Sequence, residues 1–96
     1  MKEVYLGLGS NLGDRLANVR KAIFLFQQKT RLKAVSSLYD TAPQYFSDQP
    51  NFLNAVCCVL TALAPFDLLT FIKDIEVQLG RRPTFHKGPR VIDIDL

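Results

Sequence analysis

The sequence has few of the residues that build disulfide or metal frameworks. Its 96 residues include two cysteines, which are adjacent, Cys57 and Cys58. Neighbouring side chains on a strand point to opposite faces, so a disulfide between these two would be strained. The spacing of a Cys-x-x-Cys metal site is absent. We therefore predict two free thiols that act as small hydrophobic residues in a reducing compartment.

Long apolar runs and targeting segments are also missing from the sequence. No stretch has the length and apolar character of a membrane span, and no signal peptide or lipidation motif is present. Internal repeats and low-complexity segments are absent as well. From these features we predict a cytoplasmic protein with no membrane partner.

Charge of neither sign is in large excess. The net charge is +3 and charged residues make up 22% of the chain, which is too little to predict nucleic-acid binding. The hydrophobic fraction of 48% allows a core, and the length fits a single domain over residues 1–96. Basic residues concentrate in residues 73–96, where an anion site and a solvated basic surface are both open interpretations.

The apolar pattern predicts an α+β protein. A first strand ends in a Gly-Ser-Asn turn, Asp14 is a credible helix cap, and Pro65 suits the first turn of a second helix. The predicted elements are a strand at 4–8, a helix at 15–28, a strand at 32–39, a strand at 52–62, a helix at 65–79 and a strand at 91–96. This β-α-β-β-α-β order predicts a ferredoxin-like fold, a four-stranded antiparallel sheet with both helices on one face.

Two aspartates stand two residues apart on the last predicted strand. Asp93 and Asp95 therefore emerge on the same face, while Ile92, Ile94 and Leu96 occupy the other and are expected to pack against the helices. Two close anions repel each other unless a cation lies between them, and Mg²⁺ suits such a gap. The alternative is a solvated sheet face on which the aspartates pair with nearby arginines, namely Arg81, Arg82 or Arg90.

The residues around this pair favour phosphate chemistry. Gly88-Pro89-Arg90 brings a turn and a fixed cation beside the carboxylates, as phosphoryl transfer uses. Arg81 and Arg82 follow Gly80, and arginine contacts phosphate in a bidentate way. His86 and Lys87 could add donors or could be ordinary surface residues. The glycines of residues 9–13 lack the Gly-Lys-Ser/Thr ending of a P-loop, so a tight turn is the better interpretation there.

A second group of residues could form a flat slot. An aromatic face stacks on a planar ring, and an asparagine offers a donor and an acceptor to the edge of a heterocycle. The alternative is that the phenylalanine belongs to the core and the asparagine only ends a strand. The candidate slot residues are Thr41, Ala42, Pro43, Phe52 and Asn54.

Five blocks of the sequence together resemble one family. The run Gly-Pro-Arg-x-x-Asp-x-Asp-hydrophobic at residues 88–96 is the signature of the 6-hydroxymethyl-7,8-dihydropterin pyrophosphokinases of the folate pathway. The other blocks are residues 9–14, 36–43, 49–55 and 75–76 with 80–81. The resemblance extends over the whole chain and implies a ferredoxin-like fold. It also implies transfer of pyrophosphate from ATP to the pterin hydroxymethyl group, which leaves AMP.

The resemblance also implies roles for individual residues. Asp93 and Asp95 would hold two Mg²⁺ ions. The implied catalytic residues are Arg81, Arg90 and Asp95. The implied ATP contacts are Glu76, Arg81, Arg90 and Ile94. The pterin pocket would be lined by Thr41, Ala42, Pro43, Phe52 and Asn54.

Family members continue past the Asp-x-Asp strand, so we predict that this chain is the amino-terminal portion of the domain. Such proteins also occur fused to, or associated with, other folate-pathway enzymes. The alternative functions are a non-catalytic ferredoxin-like module that binds phosphate ligands, an inactive fragment, and an acylphosphatase-like hydrolase. RNA binding is disfavoured because the paired aspartates would repel the phosphate backbone.

Overall fold

A computed structural model of the chain describes residues 1–43, 48–81 and 88–96. The middle of the predicted 41–50 loop lies outside the described residues. So do Arg82, His86 and Lys87, whose proposed contributions as phosphate donors stay predictions.

The described residues form two helices and one antiparallel sheet. The elements are β1 (Lys2–Ser10), α1 (Arg15–Phe26), β2 (Arg31–Val35), β3 (Tyr39–Thr41), β4 (Phe52–Thr61), α2 (Pro65–Gln78) and β5 (Asp93–Asp95). The strands lie in the order β2-β4-β1-β5, and β3 also pairs with β4. The predicted α+β class is confirmed. The sheet has one strand more than the four that were predicted.

The extra strand arises because the predicted strand at 32–39 is interrupted at Ser36. The main-chain N–H of Ser36 donates to the Val56 carbonyl at 2.8 Å, and its hydroxyl accepts from the Val56 N–H at 2.8 Å. A side chain that bonds to the backbone in this way competes with the strand ladder. The chain therefore leaves the ladder after Val35 and pairs with β4 again from Tyr39, so Thr41 belongs to a strand and not to the predicted loop.

The first strand is longer than its apolar run. The prediction ended it before Gly9, but β1 continues to Ser10 because this end pairs on both sides. Gly9 faces Asn54 of β4 and Asp93 of β5. The turn falls later, at Gly13, which has φ of 66° and therefore a backbone that favours glycine.

Both helices begin where local signals predict. The Asp14 carboxylate accepts from the Ala17 N–H at 3.1 Å, which confirms it as the cap of α1. Pro65 occupies the first turn of α2, and Gly80, with φ of 93°, follows its end. Helix α1 ends at Phe26, two residues before the predicted end, where Thr30 N–H and hydroxyl both donate to the Phe26 carbonyl. Neither helix in the described part of the chain is long and apolar enough to cross a membrane.

The core lies between the sheet and the helices. It combines apolar side chains from β1, β4, β5 and both helices. Ile92 and Ile94 belong to it, as predicted, but Leu96 is 63% exposed. Leu96 was wrongly assigned to the core because pairing with β1 stops at Asp95.

The two cysteines are free thiols, as predicted, and both are buried. Burial, with a smaller contribution from Cys58, raises the pKa of the Cys57 thiol to about 11. A thiol with this pKa stays protonated at neutral pH, which fits its packing among apolar core residues.

Candidate active site

The face of the sheet that points away from the helices carries the candidate site. In β1 the core-facing side chains of Leu6 and Leu8 alternate with Gly7 and Gly9. Register then aligns residues across the strands into two rows. One row is Asp93, Gly9, Asn54 and Tyr39, and the other is Asp95, Gly7 and Val56. Asp93 therefore lies across Gly9 from Asn54 of β4, and Asp95 lies across Gly7 from Val56.

A cleft of about 350 Å³ opens over these rows. Seven predicted site residues line it, namely Thr41, Ala42, Phe52, Asn54, Arg90, Asp93 and Asp95. The structure thus brings both predicted groups, the acidic pair and the slot, into one cavity. The lining does not include Pro43, Glu76, Arg81 or Ile94.

The neutral half of the cleft is centred on Asn54. Its amide nitrogen donates to the Thr41 hydroxyl at 2.6 Å and to the Phe52 carbonyl at 3.3 Å. These bonds fix the amide plane, with Oδ1 on the side of Gly9. The ring of Phe52 is half-buried, so the alternative that it belongs to the core does not describe it. We call Thr41, Ala42, Phe52 and Asn54 the ring slot.

The absence of a side chain at Gly9 keeps this slot open. A Cβ atom there would lie 3.0 Å from Asn54 Oδ1 and 3.3 Å from Phe52 Cδ1. At Gly7, two residues away on the same face, a Cβ would meet only the Asp95 carbonyl oxygen, at 3.9 Å. Gly9 therefore sets the depth of the slot, whereas Gly7 has room for a methyl group.

The charged half is an ion-pair network around Asp93. Its Oδ1 accepts from Arg81 Nη1 at 3.1 Å and its Oδ2 from Arg90 Nη1 at 3.4 Å. Arg81 Nη1 also lies 2.5 Å from Glu76 Oε2. The arginine-paired arrangement, which was one of the two predicted interpretations, therefore describes Asp93 in this structure. We call Arg90, Asp93 and Asp95, which line the cleft, the charged half.

Asp95 differs from Asp93 in its surroundings. Burial, and next the charge of Asp93 and a hydrogen bond with it, raise the pKa of the Asp95 carboxyl group, while Arg90 acts in the opposite direction. The Glu76 carboxylate adds to the increase. Because the carboxylates of Asp93 and Asp95 repel each other when both are ionised, a cation bound between them would be stabilised.

Asp93 and Asp95 can bind Mg²⁺ only together with further ligands. Among residues 1–43, 48–81 and 88–96, no group of three or more His, Cys, Asp or Glu side chains is placed to hold a metal ion. Mg²⁺ is commonly bound by one or two carboxylates, with water and substrate phosphates as the remaining ligands. Asp93 and Asp95 can supply those carboxylates, so the residues present fit the predicted metal if a phosphate compound binds with it.

Glu76 and Ile94 lie beneath the cleft. Glu76 is 2% exposed, and its Oε2 accepts from the Ile94 N–H at 2.9 Å as well as from Arg81. This buried carboxylate ties helix α2 to β5 and fixes the guanidinium that contacts Asp93. Its described contacts are therefore those of a support for the charged half.

Comparison with known proteins identifies the family. Residues 5–96 match the family model described as 7,8-dihydro-6-hydroxymethylpterin-pyrophosphokinase (HPPK). The chain belongs to this family. The resemblance seen in the five sequence blocks is thereby confirmed.

Proteins with similar sequences differ greatly in length from this chain. Folic acid synthesis protein FOL1 of Dictyostelium discoideum is 46% identical over 93 residues, which are 97% of this chain and 14% of that protein. The 2-amino-4-hydroxy-6-hydroxymethyldihydropteridine pyrophosphokinase of Aquifex aeolicus is 44% identical over 96 residues, 100% of this chain and 60% of that protein. A mitochondrial folate synthesis bifunctional protein of Pisum sativum is 44% identical, over 99% of this chain and 19% of that protein. This chain thus spans three fifths of the Aquifex relative and less than a fifth of the other two.

Several residues of this HPPK-family cleft were not found by sequence reasoning. Tyr39, Gly7, Leu8, Gly9 and Ala55 also line it. Gly9 was interpreted as part of a turn, although an isolated glycine in a strand often marks a close approach of another group. No local sequence pattern places Tyr39 at the cleft, because it lies there only through the pairing of β3 with β4, in which it is opposite Asn54.

Proposed function

We propose that this chain transfers pyrophosphate from ATP to the hydroxymethyl group of 6-hydroxymethyl-7,8-dihydropterin, leaving AMP. The observation that carries the proposal is that one cleft contains both a neutral slot for a planar ring and a charged half in which the carboxylates of Asp93 and Asp95 lie beside Arg90. The transfer joins a ring compound to a polyphosphate, and holding the two reactants in one geometry is a large part of such catalysis.

The proposed metal ligands are Asp93 and Asp95, which would hold two Mg²⁺ ions together with phosphate oxygens. Bound there, the ions would neutralise the charge that develops on the transferring group. Asp93 is already paired with Arg81 and Arg90. We expect both guanidinium groups to exchange part of this contact for the nucleotide phosphates, which gives Arg81 and Arg90 their catalytic role.

The remaining predicted nucleotide contacts are Glu76 and Ile94. Because Glu76 is buried against Arg81 and the Ile94 N–H, we propose that it acts on ATP through Arg81. Ile94 would contribute to ATP binding through its main-chain position between the two aspartates, because its side chain lies in the core.

The proposed pterin site is the ring slot with Pro43 beside it. Phe52 would stack on the ring. Asn54 would hydrogen-bond to the polar edge of the ring, with its amide held in the orientation set by its bond to the Thr41 hydroxyl. The hydroxymethyl group would then point along the row towards Gly9 and Asp93. A loose phosphoryl transition state needs positioning and charge neutralisation more than a strong general base.

Partners and location follow from the relatives only as proposals. The name of the Pisum sativum relative describes a bifunctional folate synthesis protein, so we propose that this chain acts fused to, or together with, another folate-pathway enzyme. That relative is named as mitochondrial, and the cytoplasmic location of this chain stays a prediction. The chain as the amino-terminal portion of its domain is likewise a proposal.

Calorimetric titration tests the proposed function against the phosphate-binding alternative. A non-hydrolysable ATP analogue is titrated with and without Mg²⁺, and a pterin is then added. We expect Mg²⁺-dependent nucleotide binding that creates or tightens the pterin site. The Asp93→Asn variant should lose the Mg²⁺ dependence. If the wild type and the Asp93→Asn variant both bind the ATP analogue equally well with and without Mg²⁺, the cleft is a simple anion site and the proposal is wrong.

A further inference from the structure

Asn11 is a buried polar residue that the proposed chemistry does not use. It directly follows β1 and is 2% exposed. Its Oδ1 accepts from the Arg90 N–H at 2.8 Å, and its own N–H donates to the Arg90 carbonyl at 3.1 Å. Its Nδ2 donates to Gln49 Oε1 at 2.7 Å and to the Pro50 carbonyl at 3.0 Å. One amide therefore holds two segments that are far apart in sequence.

The two segments lead to opposite halves of the cleft. Arg90 lines the charged half, where it pairs with Asp93, and its guanidinium carbon lies 6.0 Å from the centre of the Phe52 ring. The segment at 49–50 leads directly into Phe52, the first residue of β4 and the aromatic wall of the ring slot. A displacement of either segment changes the hydrogen bonds of Asn11 and thereby acts on the other.

We infer that Asn11 is a positioning residue that couples the charged half of the cleft to the ring slot. The inference rests on the proposed function, because the ligands of the two halves are taken from it. An asparagine side chain has two N–H donors and one acceptor oxygen, and here the donors serve the 49–50 segment while the oxygen serves Arg90. The Asn11 side chain is buried and hydrogen-bonded to both segments. It favours joint movement of the two segments, since separate movement would leave a buried polar group without a hydrogen-bond partner.

The first test breaks one side of this link. Asn11→Asp keeps the oxygen that accepts from Arg90 but replaces the donor with an anion opposite the Pro50 carbonyl, which has no proton to offer. In the wild type, we expect the Mg²⁺-bound ATP analogue to tighten pterin binding, and the ratio of pterin affinities with and without nucleotide measures the coupling. We expect Asn11→Asp to lower that ratio about tenfold, with nucleotide affinity alone changed by less than about threefold.

Asn18→Asp is the matched control for this change. Asn18 makes the same kind of contacts in the same region, since its Nδ2 donates to the Ser10 hydroxyl and the Leu12 carbonyl. It contacts neither Arg90 nor the 49–50 segment in these bonds. Its replacement should lower the melting temperature and leave the coupling ratio unchanged. If Asn11→Asp lowers stability while its coupling ratio equals that of the wild type, Asn11 is only structural and the inference is wrong.

A second test needs no ligand and so separates this inference from the proposed function. Gln49→Leu removes one acceptor of the Asn11 amide, and hydrogen exchange of the Arg90 N–H is then followed by NMR. Coupling through Asn11 predicts exchange at least about threefold faster at Arg90, on the far side of the link. Gln28→Leu, an exposed glutamine after α1, should change nothing at Arg90. Unchanged exchange in Gln49→Leu would overturn the coupling, whether or not the wild-type chain binds nucleotide and pterin.

Discussion

The two halves of the cleft are built by different forces. The ring slot is neutral, and its polar atoms are bonded to one another within the sheet, as Asn54 is to Thr41. The charged half is held by ion pairs, since Arg81 and Arg90 are both paired with the Asp93 carboxylate. Under the proposed function, the slot is therefore ready for a ring, whereas the charged half would exchange internal contacts for those of a nucleotide. If the proposed function is correct, pterin affinity would depend on the shape of the slot and nucleotide affinity on the balance of charges around Asp93.

The largest expected effect comes from neutralising Asp95. Asp95→Asn leaves the arginine pairs of Asp93 in place but removes one of the two carboxylates proposed to bind Mg²⁺. We expect kcat of the transfer to fall by at least about 100-fold, with pterin affinity changed by less than about threefold. Steady-state kinetics with varied Mg²⁺ concentration measures the first, and pterin titration measures the second.

Asp74→Asn is the control for this substitution. Asp74 is an exposed carboxylate on α2 that does not line the cleft, so kcat should stay within about twofold of the wild type. An Asp95→Asn variant with wild-type kcat and Mg²⁺ dependence would contradict the assignment of the metal site.

A smaller effect, on the other half, is expected from filling the floor of the slot. Gly9→Ala places a methyl group 3.0 Å from Asn54 Oδ1 and 3.3 Å from Phe52 Cδ1, so these side chains must move. We expect KM for the pterin to rise about tenfold, an energy of about 1.4 kcal/mol, with KM for ATP nearly unchanged.

Gly7→Ala makes the same chemical change on the same face of β1 with a nearest contact at 3.9 Å. It controls for the lower backbone flexibility of alanine. Equal increases of pterin KM in both variants would show that the depth of the slot at Gly9 is not what sets ring affinity.

The last expected effect is on stability, and it comes from Glu76, the buried support of the charged half. Glu76→Gln removes the charge that pairs with Arg81 but keeps an oxygen that can accept from the Ile94 N–H. Since Arg81 is partly exposed and retains Asp93, we expect a loss of about 2 kcal/mol in the free energy of unfolding. Urea denaturation measures this loss.

Glu3→Gln provides the comparison on the protein surface. Glu3 pairs with Lys33, and both side chains are about half exposed. Removing this charge should cost less than about 1 kcal/mol. If both glutamine variants lose the same stability, burial of Glu76 does not contribute to the strength of the charged half.

Sequence reasoning predicted the features of the site that depend on local periodicity. The two-residue spacing on a strand was enough to place Asp93 beside Asp95, because strand side chains alternate. The Asp14 cap and the Pro65 start were likewise local signals.

The rest depends on pairing between distant strands, which no local pattern contains. Gly9 and Tyr39 reach the cleft only because the register places both opposite Asn54. The split between β2 and β3 depends on the two hydrogen bonds between Ser36 and Val56, and the pairing of Arg81 with Asp93 depends on how α2 packs behind β5. Asn11 similarly joins residues that are 38 and 79 positions away.

The most direct test of the two-halved cleft is to follow both phosphorus-containing products of a single reaction. The folded chain is incubated with ATP, Mg²⁺ and 6-hydroxymethyl-7,8-dihydropterin, and ³¹P NMR records the products. We expect AMP and a pterin diphosphate in equal amounts, both requiring Mg²⁺. ADP with a pterin monophosphate, or free phosphate formed without the pterin, would rule out the proposed pyrophosphate transfer.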